Sequence, residues 1–142
     1  MNRATRILLV DDDPVVLRVF SEVLRLDGYD LRDVSTAQAA LTLISEKWPD
    51  MVISDVMLPG FSGLELCRRI KRDAFLRDLF VVLISGEATS SHEQVTGLDV
   101  GADDYLVKSI PAAEFRARIR SLIRLQEATS ELRASQEMQR RM

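Results

Sequence analysis

Short apolar runs alternate with amphipathic segments along nearly the whole chain, and that alternation leaves few folds open. Ile7-Leu8-Leu9-Val10, Met51-Val52-Ile53-Ser54 and Leu79-Phe80-Val81-Val82-Leu83-Ile84 are continuous apolar stretches of strand length. Residues 29–34 and Asp104-Tyr105-Leu106-Val107 read as two more strands, the first of them less buried. Between these runs the period changes. Val16, Val19, Phe20, Val23 and Leu24 recur at helical spacing within 15–26, and Ala37, Ala40, Leu41 and Ile44 do so within 36–47. Residues 64–72 and 92–100 supply two further helices. Gly28 stops the first helix, and Pro111 opens a long last one, where a proline's missing N–H costs nothing. Five strands, each followed by a helix, with near-continuous apolar strands, mean a parallel sheet covered on both faces. Its crossovers are expected to be right-handed.

In an open parallel sheet, ligands gather outside the carboxyl ends of the strands. Those ends are polar here in an unusual way. The first strand runs into Asp11-Asp12-Asp13, the third into Asp55, the fourth into Ser85 and the fifth into Lys108. One polar or charged group therefore converges from each of four strands. Clustered carboxylates repel one another, so they hold protons more tightly or recruit a cation. Oxygen ligands without histidine or cysteine favour magnesium. The chain has one cysteine, Cys67, and one histidine, His92, which excludes an internal disulfide and a zinc cluster built from those residues. Cys67 has no histidine ready as its base and reads as a packing residue. An isolated aspartate after a strand often only caps the next helix, and Asp13 is read in that way.

With these motifs in place, the chain resembles the receiver domain of response regulators in two-component signalling. The resemblance rests on Ile7-Leu8-Leu9-Val10-Asp11-Asp12-Asp13-Pro14, Ser54-Asp55-Val56-Met57-Leu58-Pro59-Gly60-Phe61-Ser62-Gly63, Ile84-Ser85-Gly86 and Gly101-Ala102-Asp103-Asp104-Tyr105-Leu106-Val107-Lys108. It covers roughly residues 6–124. It implies a flavodoxin-like (βα)5 fold, a three-layer α/β sandwich with strand order 2-1-3-4-5 and, in this chain, an extended C-terminal helix. It implies that Asp55 accepts a phosphoryl group, that Asp12 binds Mg2+ directly, and that Asp11 binds it largely through water. The Met57 carbonyl matches a third protein ligand. Ser85 and Lys108 match the hydroxyl and the cation that bind phosphoryl oxygens, and Tyr105 matches the aromatic switch residue. Met57 and Glu87 match positions that look onto the attacking water during dephosphorylation. The implied donor is a histidine kinase or histidine phosphotransfer protein, and the implied receiver of the signal is an output domain. On the output face of the fourth and fifth helices and fifth strand, Asp99, Asp103 and Asp104 are expected to face Arg118.

The sequence departs from the family's pattern at one point. Proline usually follows the lysine in a cis peptide, whereas here the pair is Lys108-Ser109. A cis bond before a non-proline residue costs roughly 3–4 kcal/mol, so a trans bond is expected. Two other readings stay open on sequence grounds. A haloacid dehalogenase-type phosphatase would use Asp11 and Asp13, although Val15 stands where that family has threonine. A degenerate receiver would serve only as an interaction module.

The domain boundary is placed at 1–124, followed by a helical extension at 125–142. Leu125, Ala128, Leu132, Ser135, Gln139 and Met142 repeat at 3-4 spacing, a weak coiled-coil seam that suits a possible homodimer and a link to a downstream domain. The net charge of −3 argues against a direct grip on nucleic acid. No apolar stretch approaches the roughly 20 residues that span a bilayer, and the protein is expected to be cytoplasmic without a membrane partner.

Overall fold

The computed structural model describes residues 3–86 and 91–141, with the side chains of 91–93 left aside. Five parallel strands form one sheet, β1 (Arg6–Val10), β2 (Asp30–Val34), β3 (Met51–Asp55), β4 (Phe80–Ser85) and β5 (Asp104–Val107), in the order β2-β1-β3-β4-β5. The helices between them are α1 (Pro14–Arg25), α2 (Ala37–Ser45), α3 (Gly63–Arg72) and α4 (Ser91–Asp99), and α5 (Ala112–Arg141) follows β5. This is the doubly wound, flavodoxin-like arrangement expected from the sequence, with its C-terminal helix. The strands lie in the register Val10↔Ser54, Asp55↔Ile84 and Ser85↔Val107. The ends of β1, β3, β4 and β5 consequently share one edge of the sheet.

Both faces of the central strands are buried, which is why β1, β3 and β4 read as unbroken apolar runs. Leu8, Val10, Val52, Val81 and Leu83 join Ala40 and Ile44 of α2 and Leu66, Cys67 and Ile70 of α3 in one core cluster. Leu9, Ile53 and Ile84 point the other way, toward Val16, Leu17 and Phe20 of α1. β2 is an edge strand, and its Asp30, Arg32 and Asp33 are exposed. Arg32 stacks over the buried Trp48, its guanidinium carbon 4.6 Å from the ring centroid.

The helix starts are capped by the residues before them. Asp13 accepts the Val15 N–H at 2.9 Å, Thr36 the Ala39 N–H at 3.1 Å and Ser62 the Glu65 N–H at 3.2 Å. The capping role expected of Asp13 is therefore observed. The chain divides into two compact units, Met1–Ile110 and Pro111–Met142. In the second unit α5 runs for 30 residues, with Phe115, Ile119 and Ile123 buried and Leu125, Leu132 and Met138 exposed. Among the described residues no helix is long and apolar enough to cross a membrane.

Candidate functional site

At the carboxyl edge of the sheet, the residues that end β1 and β3 form an acidic cluster. Asp11 and Asp55 are buried, at 5% and 6% exposure, and Asp12 beside them is exposed. Each of the three offers a carboxylate oxygen, and these oxygens lie within 4.8 Å of one another. Asp11 and Asp55 also border a small apolar void under α1, with Leu9, Phe20 and Ile53 around it. The two carboxylates are thus held against an apolar wall.

The Lys108 ammonium answers that buried charge. Its Nζ donates to Asp55 Oδ2 at 2.9 Å and lies 2.9 Å from Asp11 Oδ2. Burial works against the charged ammonium, but the bonds to Asp55 and then Asp11 outweigh it and lift the lysine above its ordinary value. Desolvation has the larger hand on Asp11. It raises the carboxyl's proton affinity despite the Asp13 N–H bond and the lysine, and the neighbouring Asp55 charge adds to it. The backbone orients both acids. Asp13 N–H donates to Asp11 Oδ1 at 2.9 Å, and Met57 N–H donates to Asp55 Oδ1 at 3.1 Å.

The loop after β3 is shaped by one glycine. A Cβ on Gly63 would fall onto the Asp55 carbonyl oxygen, so only glycine lets α3 start this close to β3. Gly63 N–H donates to Val56 O at 2.9 Å, and Val56 N–H donates to Ile84 O at 2.9 Å. This brings the Met57 backbone back toward Asp55 while its side chain stays 75% exposed. Ser85 ends β4 one residue past the register partner of Asp55, and its carbonyl accepts the Lys108 N–H at 2.8 Å. No cis peptide occurs among the described residues, so Lys108–Ser109 is trans, and Lys108 still reaches both acids.

Asp103, expected on the output face, is engaged within the first unit. Its carboxylate pairs with Lys71 Nζ at 2.9 Å and accepts the Val81 N–H at 2.8 Å, because Gly101, at φ 101°, swings the chain over the stem of Lys71. Tyr105 is buried, at 7% exposure, against Gly97. Glu87 lies outside the described residues. The sequence motif includes Gly63 without giving it a role, and Gly97 was missed; its signal was a glycine where a helix would prefer almost any other residue, and only the packing shows what each accommodates.

The site can hold a hard cation and bring one buried carboxylate to an incoming electrophile. Its donors suit magnesium: three carboxylates, with no histidine or thiolate among them.

Comparison with known proteins points the same way. The response regulator receiver domain family matches residues 7–120. The chain is 35% identical over 118 residues to the phosphate regulon transcriptional regulatory protein PhoB of Pseudomonas aeruginosa, covering 83% of this chain and 51% of that protein. It is 38% identical over 122 residues to the DNA-binding response regulator MtrA of Mycolicibacterium smegmatis, covering 86% and 52%. It therefore spans about half the length of the curated relatives it matches. A solved CheY-like receiver domain protein from Methanospirillum hungatei superposes with a TM-score of 0.81 at 27% identity, over 89% of this chain and 99% of that one.

Proposed function

The chain belongs to the response regulator receiver domain family of two-component signalling, and from that premise we propose that Asp55 accepts a phosphoryl group and thereby switches a partner or an attached output domain. The observation that carries the reading is the shared lysine: two buried carboxylates from different strands hold one ammonium, with a third carboxylate at hand. That is a costly arrangement for stability alone, since buried charges need close compensation. It suits a site that must receive an anionic group and a cation together.

Asp55 is the acceptor. Its Oδ1 is held by the Met57 N–H and its Oδ2 by Lys108, so the carboxylate is aimed before any donor arrives. A carboxylate oxygen attacks phosphorus in line, the new O–P bond forms, and the P–N bond of a phosphohistidine breaks, its electron pair returning to the imidazole. Lys108 then follows the negative charge onto a phosphoryl oxygen, and the Ser85 hydroxyl donates to another. Asp11, Asp12, Asp55 and the Met57 carbonyl would hold magnesium, which when bound supplies charge neutralisation on the phosphoryl oxygens. The acyl phosphate hydrolyses in time, so the domain limits its own signal. The donor class is a histidine kinase or a histidine phosphotransfer protein, and an output domain beyond α5 is the natural recipient of the change. The negative net charge does not favour direct contact of this unit with nucleic acid.

The deciding experiment treats the protein with acetyl phosphate and magnesium and maps the modified residue. One phosphoryl group on Asp55, lost in Asp55→Asn with the fold intact, is the expected result. Modification at Asp11, Asp12 or Asp13 in either protein would overturn the assignment and, at Asp11, favour a phosphatase.

A further inference from the structure

Helix α4 is seated through a glycine. Across residues 94–99, Gly97 alone is buried, while Val95 and Leu98 are 52% and 49% exposed. Glycine inside a helix weakens it relative to alanine, so its presence calls for a packing reason. The reason lies across the interface with β5. A Cβ on Gly97 would stand 2.6 Å from Cε2 of Tyr105 and closer still to Cδ2, with Leu83 Cδ1 at 3.6 Å behind. The Tyr105 ring therefore lies flush against the α4 backbone, in space that any other residue at 97 would fill.

The end of the helix nearby is fixed. Gly101 N–H donates to Leu98 O at 3.0 Å and Ala102 N–H to Gly97 O at 3.4 Å, and Asp103, two residues before the tyrosine, is clamped by Lys71. With that end held, the ring and the helix face at Gly97 have little room to yield separately. Few of the helix's described side chains are buried, and elements with so little buried contact are drawn from the low-stability end of a fold.

We propose that Gly97 is the positioning residue of the switch: the inward ring of Tyr105 and the docked state of α4 are a single packing, which only glycine at 97 permits. This rests on the reading of Tyr105 as the switch residue of the Asp55 site and deepens it by naming what sets its resting balance. With Gly97 in place no side chain at 97 opposes the inward packing, so the balance of the switch is tilted toward it. A ligand at Asp55 that favours the inward packing is favoured by that packing in equal measure.

The test uses 3-fluorotyrosine-labelled full chain, where only Tyr29 and Tyr105 report and Tyr29→Phe assigns them. Before any phosphoryl mimic is added, the Tyr105 fluorine should be shielded from solvent probes in the parent protein and exposed in Gly97→Ala. Beryllofluoride affinity should fall roughly tenfold in that variant, a typical coupling between sites. In a Tyr105→Ala background the same Gly97→Ala change should have no such effect. If Gly97→Ala does not fold, Tyr105→Ala must restore folding. An unchanged Tyr105 signal in Gly97→Ala, or an equal loss with and without the tyrosine ring, overturns the proposal. Failure of the parent protein to bind beryllofluoride would count against the phosphoryl-acceptor reading alone, since the tyrosine measurement needs no ligand.

Discussion

At Asp11 burial and charge pull against each other. The folded chain holds this carboxyl's proton more tightly than the ordinary value of 3.8, chiefly through desolvation. The sign follows: the folded state binds more protons than the unfolded one between those two values, so stability falls as pH rises through that window and stays lowered above it. Ionised Asp11 is thus a burden on the metal-free fold and an asset once a cation is bound. Asp11→Asn should raise stability at neutral pH without magnesium. It should also shrink the further stabilisation that magnesium gives the parent protein. Urea unfolding with and without the metal measures both; an Asn variant less stable without magnesium would contradict the sign.

Within the elements, adjacent aspartates have separate jobs. Asp11 and Asp12 join the cluster, whereas Asp13 spends its carboxylate on the Val15 N–H and starts α1. Asp13→Ala should therefore cost about 1 kcal/mol of unfolding free energy, typical of a lost N-cap. Phosphorylation at Asp55 and magnesium affinity should persist, as phosphodonor labelling would show. Some of this was legible beforehand: a proline right after Asp13 marks a first helical turn. The tight approach of α3 to β3 was not, because it depends on a Gly63–Asp55 contact that no periodicity records.

On the scale of the molecule, the opposite end of the sheet is tied by Asp50. Its carboxylate accepts from Arg3 at 2.7 and 2.9 Å and from the Arg6 N–H at 2.8 Å. Burial pushes its pKa up, but Arg3 and the Arg6 backbone outweigh that and leave it below the ordinary 3.8. A depressed carboxyl contributes stability that is complete above 3.8 and lost as pH falls through the lower folded value. Asp50→Asn should accordingly lower stability at neutral pH and flatten the acid limb below that value, which a pH series of thermal melts would reveal. Helix α5, roughly 45 Å long at 1.5 Å per residue, carries Leu125 and Leu132 exposed, one heptad apart. We propose that residues 125–142 pair two copies of the chain; Met142 of that seam lies outside the described residues. Sedimentation with beryllofluoride should show a dimer for the full chain and weaker association for a chain ending at Arg124. A monomer in both would remove the extension from the signalling path.

The strands, their order of appearance and the convergence of Asp11, Asp12, Asp55, Ser85 and Lys108 were determined by the sequence itself. Apolar period sets which segments are strands and helices, and parallel strands deliver all their carboxyl ends to one edge. Tertiary packing alone decided who pairs with whom there. Lys108 is shared between Asp11 and Asp55, Asp103 is claimed by Lys71, and Tyr105 is drawn inward by the space over Gly97. Those outcomes turn on fractions of an ångström between residues far apart in the chain, which local propensity does not encode.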